Sequence, residues 1–153
     1  MYTPDKEPIN RPLRPWTAAL DMPMANQVKH IKNLLLSRPF LSRVPDQDMI
    51  LGDQKENNDY KIATRDQNGS YAMVYMPSGG AVHLNLTSLS SKKFTAWWYD
   101  PRTGNSYPAG EIPQSDDVKI EAPTTGKGHD WVLVLDANPG AFPAPGKGAS
   151  KQH

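Results

Sequence analysis

Two aromatic residues, Trp97 and Tyr99, are the side chains of this sequence whose type and spacing best suit binding chemistry. They stand in the stretch 94–104, which reads FTAWWYDPRTG. Side chains of a strand alternate between its two faces, so both rings should point to the same side. Exposed rings can stack on the apolar face of a pyranose, which suggests a sugar-binding platform. Polar contacts could come from three residues at the end of the strand: Asp100, Arg102 and Asn105.

A packing role is the alternative for the same rings. Trp98 points to the opposite face and would fill the core of a β-sandwich, while Trp97 and Tyr99 would pack against a helix or a neighbouring domain. We favour packing, because buried aromatics outnumber ligand platforms in sandwiches. One property separates the two hypotheses, since the platform requires that both Trp97 and Tyr99 be exposed to solvent.

The sequence shows no arrangement of residues that suits catalysis or metal binding. Glycoside hydrolysis needs two carboxylates that face each other across a sugar ring. The acidic residues here stand in turn and connector sequences, where Asp is common for conformational reasons. The histidines, at positions 30, 83, 129 and 153, lack metal-ligand spacing, and no serine stands in a nucleophile elbow. We therefore expect no catalytic residue, no metal and no cofactor in this chain.

Length and charge narrow the classes of partner. The 153 residues suffice for one domain with a substantial core, and the absence of cysteine excludes disulfides. The 17 basic and 16 acidic residues are scattered, so we expect no nucleic-acid partner. No apolar run is long enough for a membrane span, and the first residues lack the apolar core of a secretory signal. We expect no membrane partner, and either no targeting segment or a chain cut from something longer.

A helix over residues 20–38 is predicted by an apolar stripe at helical spacing, which follows a proline-rich segment, 1–19, that we expect to be extended. We expect the stripe to cover a sheet face of its own domain or of a partner. Left uncovered, it would drive self-association. The candidate interface consists of four residues of this stripe: Val28, Ile31, Leu34 and Leu35.

Residues 39–136 read as a series of short strands separated by turn signals. An Asn-Gly pair near position 69 predicts a β-hairpin, and the alternation of Val82, Leu84 and Leu86 predicts a strand with one buried face. Residues 131–135, WVLVL, are apolar on both faces and should form a central strand that is covered on both sides. The fold class is therefore mainly β, an antiparallel β-sandwich (Ig-like or jelly-roll-like) with one N-terminal α-helix packed on it. The composition of residues 137–153 predicts a disordered tail.

Four separated motifs give the chain a family resemblance. They are SRPFLSRVPDQ (37–47), ATRDQNGSYAMVYMPSGG (63–80), AWWYDPRTG (96–104) and GHDWVLVLD (128–136). Together they resemble the putative collagen-binding domain, a β-sandwich that follows an apiosidase-like (β/α)8 barrel in bacterial glycoside hydrolase-like proteins. The resemblance spans roughly residues 16–136, and its motifs occur in the right order.

This resemblance implies a role without catalysis. The predicted helix is similar to the last helix of the barrel, whereas the barrel strands that would carry the catalytic carboxylates have no counterpart here. We expect an accessory domain, not an enzyme on its own, that supports a barrel structurally or binds carbohydrate weakly. A fragment of a glycoside hydrolase that needs a separate barrel, and a binder of collagen or other matrix proteins, are the alternatives. The expected partners are a polysaccharide, a (β/α)8 barrel domain or a second copy of the chain, and members of the family are often secreted or periplasmic.

Overall fold

The computed structural model describes residues 16–20, 22–52 and 59–147. Their regular elements are two helices, one 3-10 turn and eight strands. In chain order these are α1 (Trp16–Ala19), α2 (Pro23–Leu36), β1 (Arg43–Pro45), the 3-10 turn (Gln47–Met49), β2 (Ile62–Asp66), β3 (Tyr71–Met76), β4 (Gly79–Leu84), β5 (Lys93–Asp100), β6 (Asn105–Pro113), β7 (Val118–Thr125) and β8 (Trp131–Asp136).

The helix α2 is shorter than the predicted 20–38. Proline is tolerated in the first turn because its missing N–H would have no partner inside the helix, and α2 begins at Pro23. At the other end the backbone N–H and the hydroxyl of Ser37 both donate to the carbonyl of Leu34, at 3.1 and 2.6 Å. The last residues of the segment expected to be extended, 16–19, form the short helix α1, and residues 1–15 lie outside the described part.

The strands form two antiparallel sheets. The large sheet has the order β1-β2-β3-β8-β5-β6, and the small sheet pairs β4 with β7. The prediction of a central strand at 131–135 is confirmed, because β8 lies between β3 and β5 and every one of its residues is buried. The sequence did not indicate β1, whose three residues include a proline at the sheet edge.

Two clusters of apolar side chains cover the two faces of the large sheet. The inner cluster lies between the sheets and includes Trp98, Leu133 and Leu135. The outer cluster lies between the large sheet and α2, and it consists of Leu34, Tyr71, Met73, Tyr99, Val132 and Val134, with Trp97 and Phe142 packed at its margin. The domain is thus a sandwich with α2 as a partial third layer, which confirms the predicted fold class.

Residues 137–147 pack against the domain, although their composition predicts disorder. The ring of Phe142 meets that of Tyr71 edge to face, with centroids 5.9 Å apart, and Pro145 is fully buried. The N–H of Ala137 donates to the carbonyl of Ser70 at 2.9 Å. A few well-placed contacts order this segment, which composition alone does not reveal. Residues 148–153 of the predicted tail lie outside the described part.

Candidate functional site

Tyr99 does not present a ring to solvent. Its side chain is 0% exposed: its hydroxyl donates to the backbone carbonyl of His30 in α2 at 2.8 Å, and its ring lies against Gly146. Burial, and then the charge of Asp100, raises the pKa of the Tyr99 hydroxyl. Tyr99 therefore lacks the exposure that a sugar platform requires, and its position agrees with the favoured packing role.

The other two aromatics of β5 also take packing positions. Trp98 belongs to the inner cluster and meets Trp131 edge to face, with centroids 6.2 Å apart. Trp97 is half-buried at the margin of the outer cluster, next to β6, where it pairs with Pro108 at a bulge. Only Trp97 of the two proposed platform rings keeps a part of its surface accessible to a ligand.

The polar residues at the end of β5 hold a turn together. The side chain of Arg102 donates two hydrogen bonds to the buried carboxylate of Asp100, from Nε to Oδ1 at 2.8 Å and from Nη2 to Oδ2 at 3.1 Å. A third bond, from Arg102 Nη1 to the carbonyl of Gly128 at 2.7 Å, ties this turn to the loop before β8. Burial alone would raise the pKa of Asp100, but the bonds from Arg102 outweigh it and keep that pKa below its ordinary value. Asn105 is exposed beside this turn.

The structure adds Tyr107 to the candidate residues. It stands opposite Trp98 in the β5–β6 register, is 46% exposed, and meets Trp131 edge to face at 6.1 Å. The guanidinium of Arg102 lies 5.4 Å from the centre of the same Trp131 ring. The sequence shows an aromatic residue two positions after Asn105. It does not indicate that this residue stands opposite Trp98 in the strand register.

The helix stripe is divided between two environments. Leu34 is buried against the sheet and Leu35 is half-buried, whereas Val28 and Ile31 are 59% and 51% exposed. The four candidate interface residues therefore do not lie on one uncovered face. More exposed apolar side chains follow where α2 ends: Leu36, Phe40 and Leu41.

An apolar groove of about 360 Å³ runs beside α2 over the outer face of the large sheet. Ile62, Tyr75 and Val132 are cross-strand neighbours and form part of its floor. The remaining lining residues are Ile31, Leu34, Leu35, Arg43, Thr64, Met73, Pro101 and Asp130. Partial burial, then the nearby charge of Asp130, raises the pKa of the Tyr75 hydroxyl. This surface resembles an interface more than a catalytic cleft, because polar groups are few along it.

Two features are absent from residues 16–20, 22–52 and 59–147. They contain no group of three or more His, Cys, Asp or Glu residues placed to hold a metal ion. Neither α1 nor α2 has the length and apolar character needed to cross a membrane.

The chain is similar to one protein family and to parts of two solved glycoside hydrolase structures. A family model described as the putative collagen-binding domain of a collagenase matches residues 44–136, more than half of the chain. No curated protein matches the chain in sequence. A solved structure described as a glycoside hydrolase has a TM-score of 0.79 and 33% sequence identity, over 90% of this chain and 30% of its own. A glycoside hydrolase family 5 from Bacteroides vulgatus has a TM-score of 0.73 and 36% identity, over 81% of this chain and 26% of its own.

These matches are unequal in coverage. Most of this chain is matched, including residues outside the family model, but it spans less than a third of the length of either glycoside hydrolase. The greater part of each of those proteins has no counterpart in this chain.

Proposed function

Because the chain belongs to the family described as the putative collagen-binding domain of a collagenase, we propose that it is a non-catalytic accessory domain that supports the catalytic part of a glycoside hydrolase-like protein. The observation that carries this proposal is the coverage: 90% of this chain matches 30% of a glycoside hydrolase. A segment that recurs as a minor part of such enzymes is expected to serve the larger part, by packing or by binding.

The exposed apolar side chains of α2 support a packing role. Val28 and Ile31 stand one turn apart on a helix whose Leu34 already faces the sheet. An amphipathic helix normally buries its apolar stripe, so the part of this stripe that the sheet leaves exposed indicates a second contact. A neighbouring domain placed against α2 would remove both side chains from water.

The engagement of the buried carboxylates supports the absence of catalysis. Among the described residues, the most buried acidic side chains are Asp66, Asp100 and Asp136. Asp66 accepts bonds from the hydroxyls of Ser42 and Ser70, Asp100 from Arg102, and Asp136 from Arg38. Each of the three carboxylates is engaged in a structural network, whereas glycoside hydrolysis requires two carboxylates that face each other across a sugar ring.

A grafting experiment tests the proposed function. Deletion of the matching segment from the Bacteroides vulgatus glycoside hydrolase should lower the melting temperature of its remaining part, and replacement of the segment by this chain should restore one cooperative transition. The control graft is this chain with Val28→Asp and Ile31→Asp, which places charges on the exposed helix face. The proposal fails if deletion leaves the melting temperature unchanged, or if the graft unfolds as an independent second transition.

Weak carbohydrate binding is the second candidate, and the exposure of Tyr107 beside Arg102 favours it. In this version the platform moves from Tyr99 to Tyr107, with Asp100, Arg102 and Asn105 as the remaining candidate contacts, whereas Trp97 lies on the opposite face of the large sheet. Affinity electrophoresis in gels containing polysaccharides, with a collagen-bead pull-down in parallel, is the test. Tyr107→Ala should abolish any retardation, and the matched control Tyr60→Ala, which alters a residue with 41% exposure, should not. Equal retardation of the two variants would reject this site.

A further inference from the structure

We infer that residues 137–147 form a strap that holds α2 on the large sheet, and that strap and helix leave the sheet together while the sandwich stays folded. The strap follows β8 directly, and its Phe142 packs at the margin of the outer cluster that lies under α2. Both layers therefore cover the same face of the large sheet. Their joint motion needs no partner, so it is independent of the proposed accessory role.

Little of α2 is buried against the large sheet. Among the side chains of this helix that the structure describes, Leu34 alone is buried. The backbone carbonyl of His30 accepts a hydrogen bond from Tyr99 at 2.8 Å. The carbonyl of Leu35 accepts one from Nη2 of Arg43 at 3.1 Å. A layer with so little buried apolar surface is expected to open at a lower free energy than the core strands do.

The first contact between strap and helix is made by Phe142. Its ring meets that of Tyr71 edge to face, with centroids 5.9 Å apart, and its centre lies 5.5 Å from the guanidinium of Arg38. The same guanidinium donates a hydrogen bond to the hydroxyl of Ser37, the C-cap residue of α2, at 2.9 Å. Departure of the strap would therefore uncover the cation that anchors the end of the helix.

The second contact lies further along the strap, where Gly146 approaches the ring of Tyr99. A Cβ at Gly146 would stand 2.5 Å from Cε2 and 3.1 Å from the hydroxyl oxygen of Tyr99. That hydroxyl is the one that donates to His30 of α2, and Pro145 beside the contact is fully buried. Strap and helix therefore both touch Tyr99, and departure of either one weakens the cover of this ring.

The strap has little attachment apart from this shared surface. The N–H of Ala137 donates to the carbonyl of Ser70 at 2.9 Å, but the later backbone hydrogen bonds of the described strap are two internal turns. The rest of its attachment is the packing of side chains on the surface that it shares with α2. Opening of one layer removes contacts that stabilise the other, and a coupling of this kind is reciprocal.

Native-state hydrogen exchange of the full chain measures how each element opens. Val82→Ala weakens the inner cluster, and it should speed exchange in β8, which opens only by global unfolding. Exchange in α2 should keep its original rate, because the sandwich is still folded when helix and strap leave it. Equal acceleration of α2 and β8 would overturn the inference, since the helix would then open only with the core.

Removal of the aromatic ring at Phe142 tests the role of the strap. Phe142→Ala should speed exchange of the α2 amides about tenfold, because strap and helix open in one step. The matched control is Phe40→Ala, which removes an exposed ring just beyond the helix and should leave that rate unchanged. Equal rates in the two variants would show that the helix opens without the strap, which rejects the coupling.

The reverse effect must also be present if the two layers are coupled. The chain has no cysteine, so Pro145→Cys places a single thiol in the buried part of the strap. Leu34→Ala removes the buried contact of α2 and should speed alkylation of this thiol about tenfold. Leu36→Ala removes an exposed side chain of the same helix and should leave alkylation unchanged. Equal alkylation in the two backgrounds would mean that the strap opens by itself, which overturns the inference.

Discussion

The guanidinium of Arg38 and the carboxylate of Asp136 form a fully enclosed ion pair that ties the end of α2 to the end of β8. Nη2 lies 2.7 Å from Oδ2 and Nε lies 3.1 Å from Oδ1, and the side chains are 0% and 5% exposed. Nη1 of Arg38 also donates to the hydroxyl of Ser37 at 2.9 Å, and the guanidinium packs over the ring of Phe142. This one cation therefore fixes the helix, the central strand and the segment that follows it.

Removal of either partner of this pair should be costly. Arg38→Met leaves the Asp136 carboxylate buried without its cation, and we expect urea unfolding to show a loss of about 3–5 kcal/mol. The double variant Arg38→Met, Asp136→Leu should be more stable than Arg38→Met alone, because no charge remains uncompensated. Lys93→Met, which breaks an exposed pair with Glu111, is the control and should cost less than about 1 kcal/mol.

Tyr99 should behave as a core residue and not as a ligand contact. Tyr99→Phe removes one hydrogen bond to α2 and should lower the free energy of unfolding by about 0.5–1.5 kcal/mol. Tyr99→Ala also opens a cavity under the helix, and a loss of about 3–5 kcal/mol is expected. Chemical denaturation monitored by circular dichroism measures both. A Tyr99→Ala variant as stable as the unsubstituted chain would contradict the position of α2.

The turn between β5 and β6 approaches α2 too closely for a side chain at Gly104. Its φ is +75°, and a Cβ there would lie 2.3 Å from Nδ1 of His30. Gly104→Ala should therefore cost more than the roughly 1–2 kcal/mol that a left-handed backbone alone imposes on alanine. Gly110→Ala is the matched control, because its φ is +89° and nothing lies within 4 Å of the added carbon.

A double variant isolates the clash from the backbone strain. His30→Ala removes the ring that the added methyl group would meet, so Gly104→Ala should cost less stability in that background. The reduction should equal the difference between the costs of Gly104→Ala and Gly110→Ala in the unsubstituted chain. Thermal unfolding of the four combinations gives this coupling energy. Simple additivity would mean that the ring moves aside freely.

Protonation of Asp100 in acid should lower the stability of the folded chain. Its pKa in the folded chain lies below the ordinary value of 3.8, so its contribution is fully present above about pH 4. As the pH falls through the folded pKa, the folded chain also takes up the proton and the contribution is lost. Asp100→Asn should therefore be less stable at neutral pH, by about 1–3 kcal/mol, and show a shallower decline below pH 4.

Urea unfolding at a series of pH values from 7 to about 2 measures this slope. The control is Asp116→Asn, an exposed residue in the β6–β7 turn, which should change the stability at pH 7 by less than about 0.5 kcal/mol. A slope for Asp100→Asn equal to that of the unsubstituted chain would assign the acid sensitivity to other carboxylates, of which Asp66 is the first candidate because its pKa is also lowered.

The elements that depend on local pattern could be predicted from the sequence. The apolar spacing around Ile31 predicted α2, the Asn-Gly pair predicted the β2–β3 hairpin, and the apolar run at 131–135 predicted a strand covered on both sides. In each case a few consecutive residues contain the whole signal, because the periods of helix and strand are local properties.

The features that were missed depend on residues far apart in the chain. Packing of Tyr99 against a helix was the favoured interpretation, but its hydroxyl bond to the carbonyl of His30, 69 positions away, was not predicted. Arg38 finds its carboxylate 98 positions away. The groove draws its lining from six separate segments, and the packed position of Phe142 needs a surface made by Arg38 and Tyr71. No local pattern contains such relationships.

The central position of β8 has a consequence for how the chain is made. This strand is the last of the eight in the described part of the chain, yet it separates β3 from β5 and supplies both of them with hydrogen-bond partners. During synthesis β3 and β5 therefore each keep one unpaired edge until residues 131–136 have left the ribosome, because β8 pairs with that edge. Closure of the large sheet is therefore a late event, and translation that stops before Trp131 would release a chain in which β3 and β5 each have one open edge, prone to associate with other nascent chains.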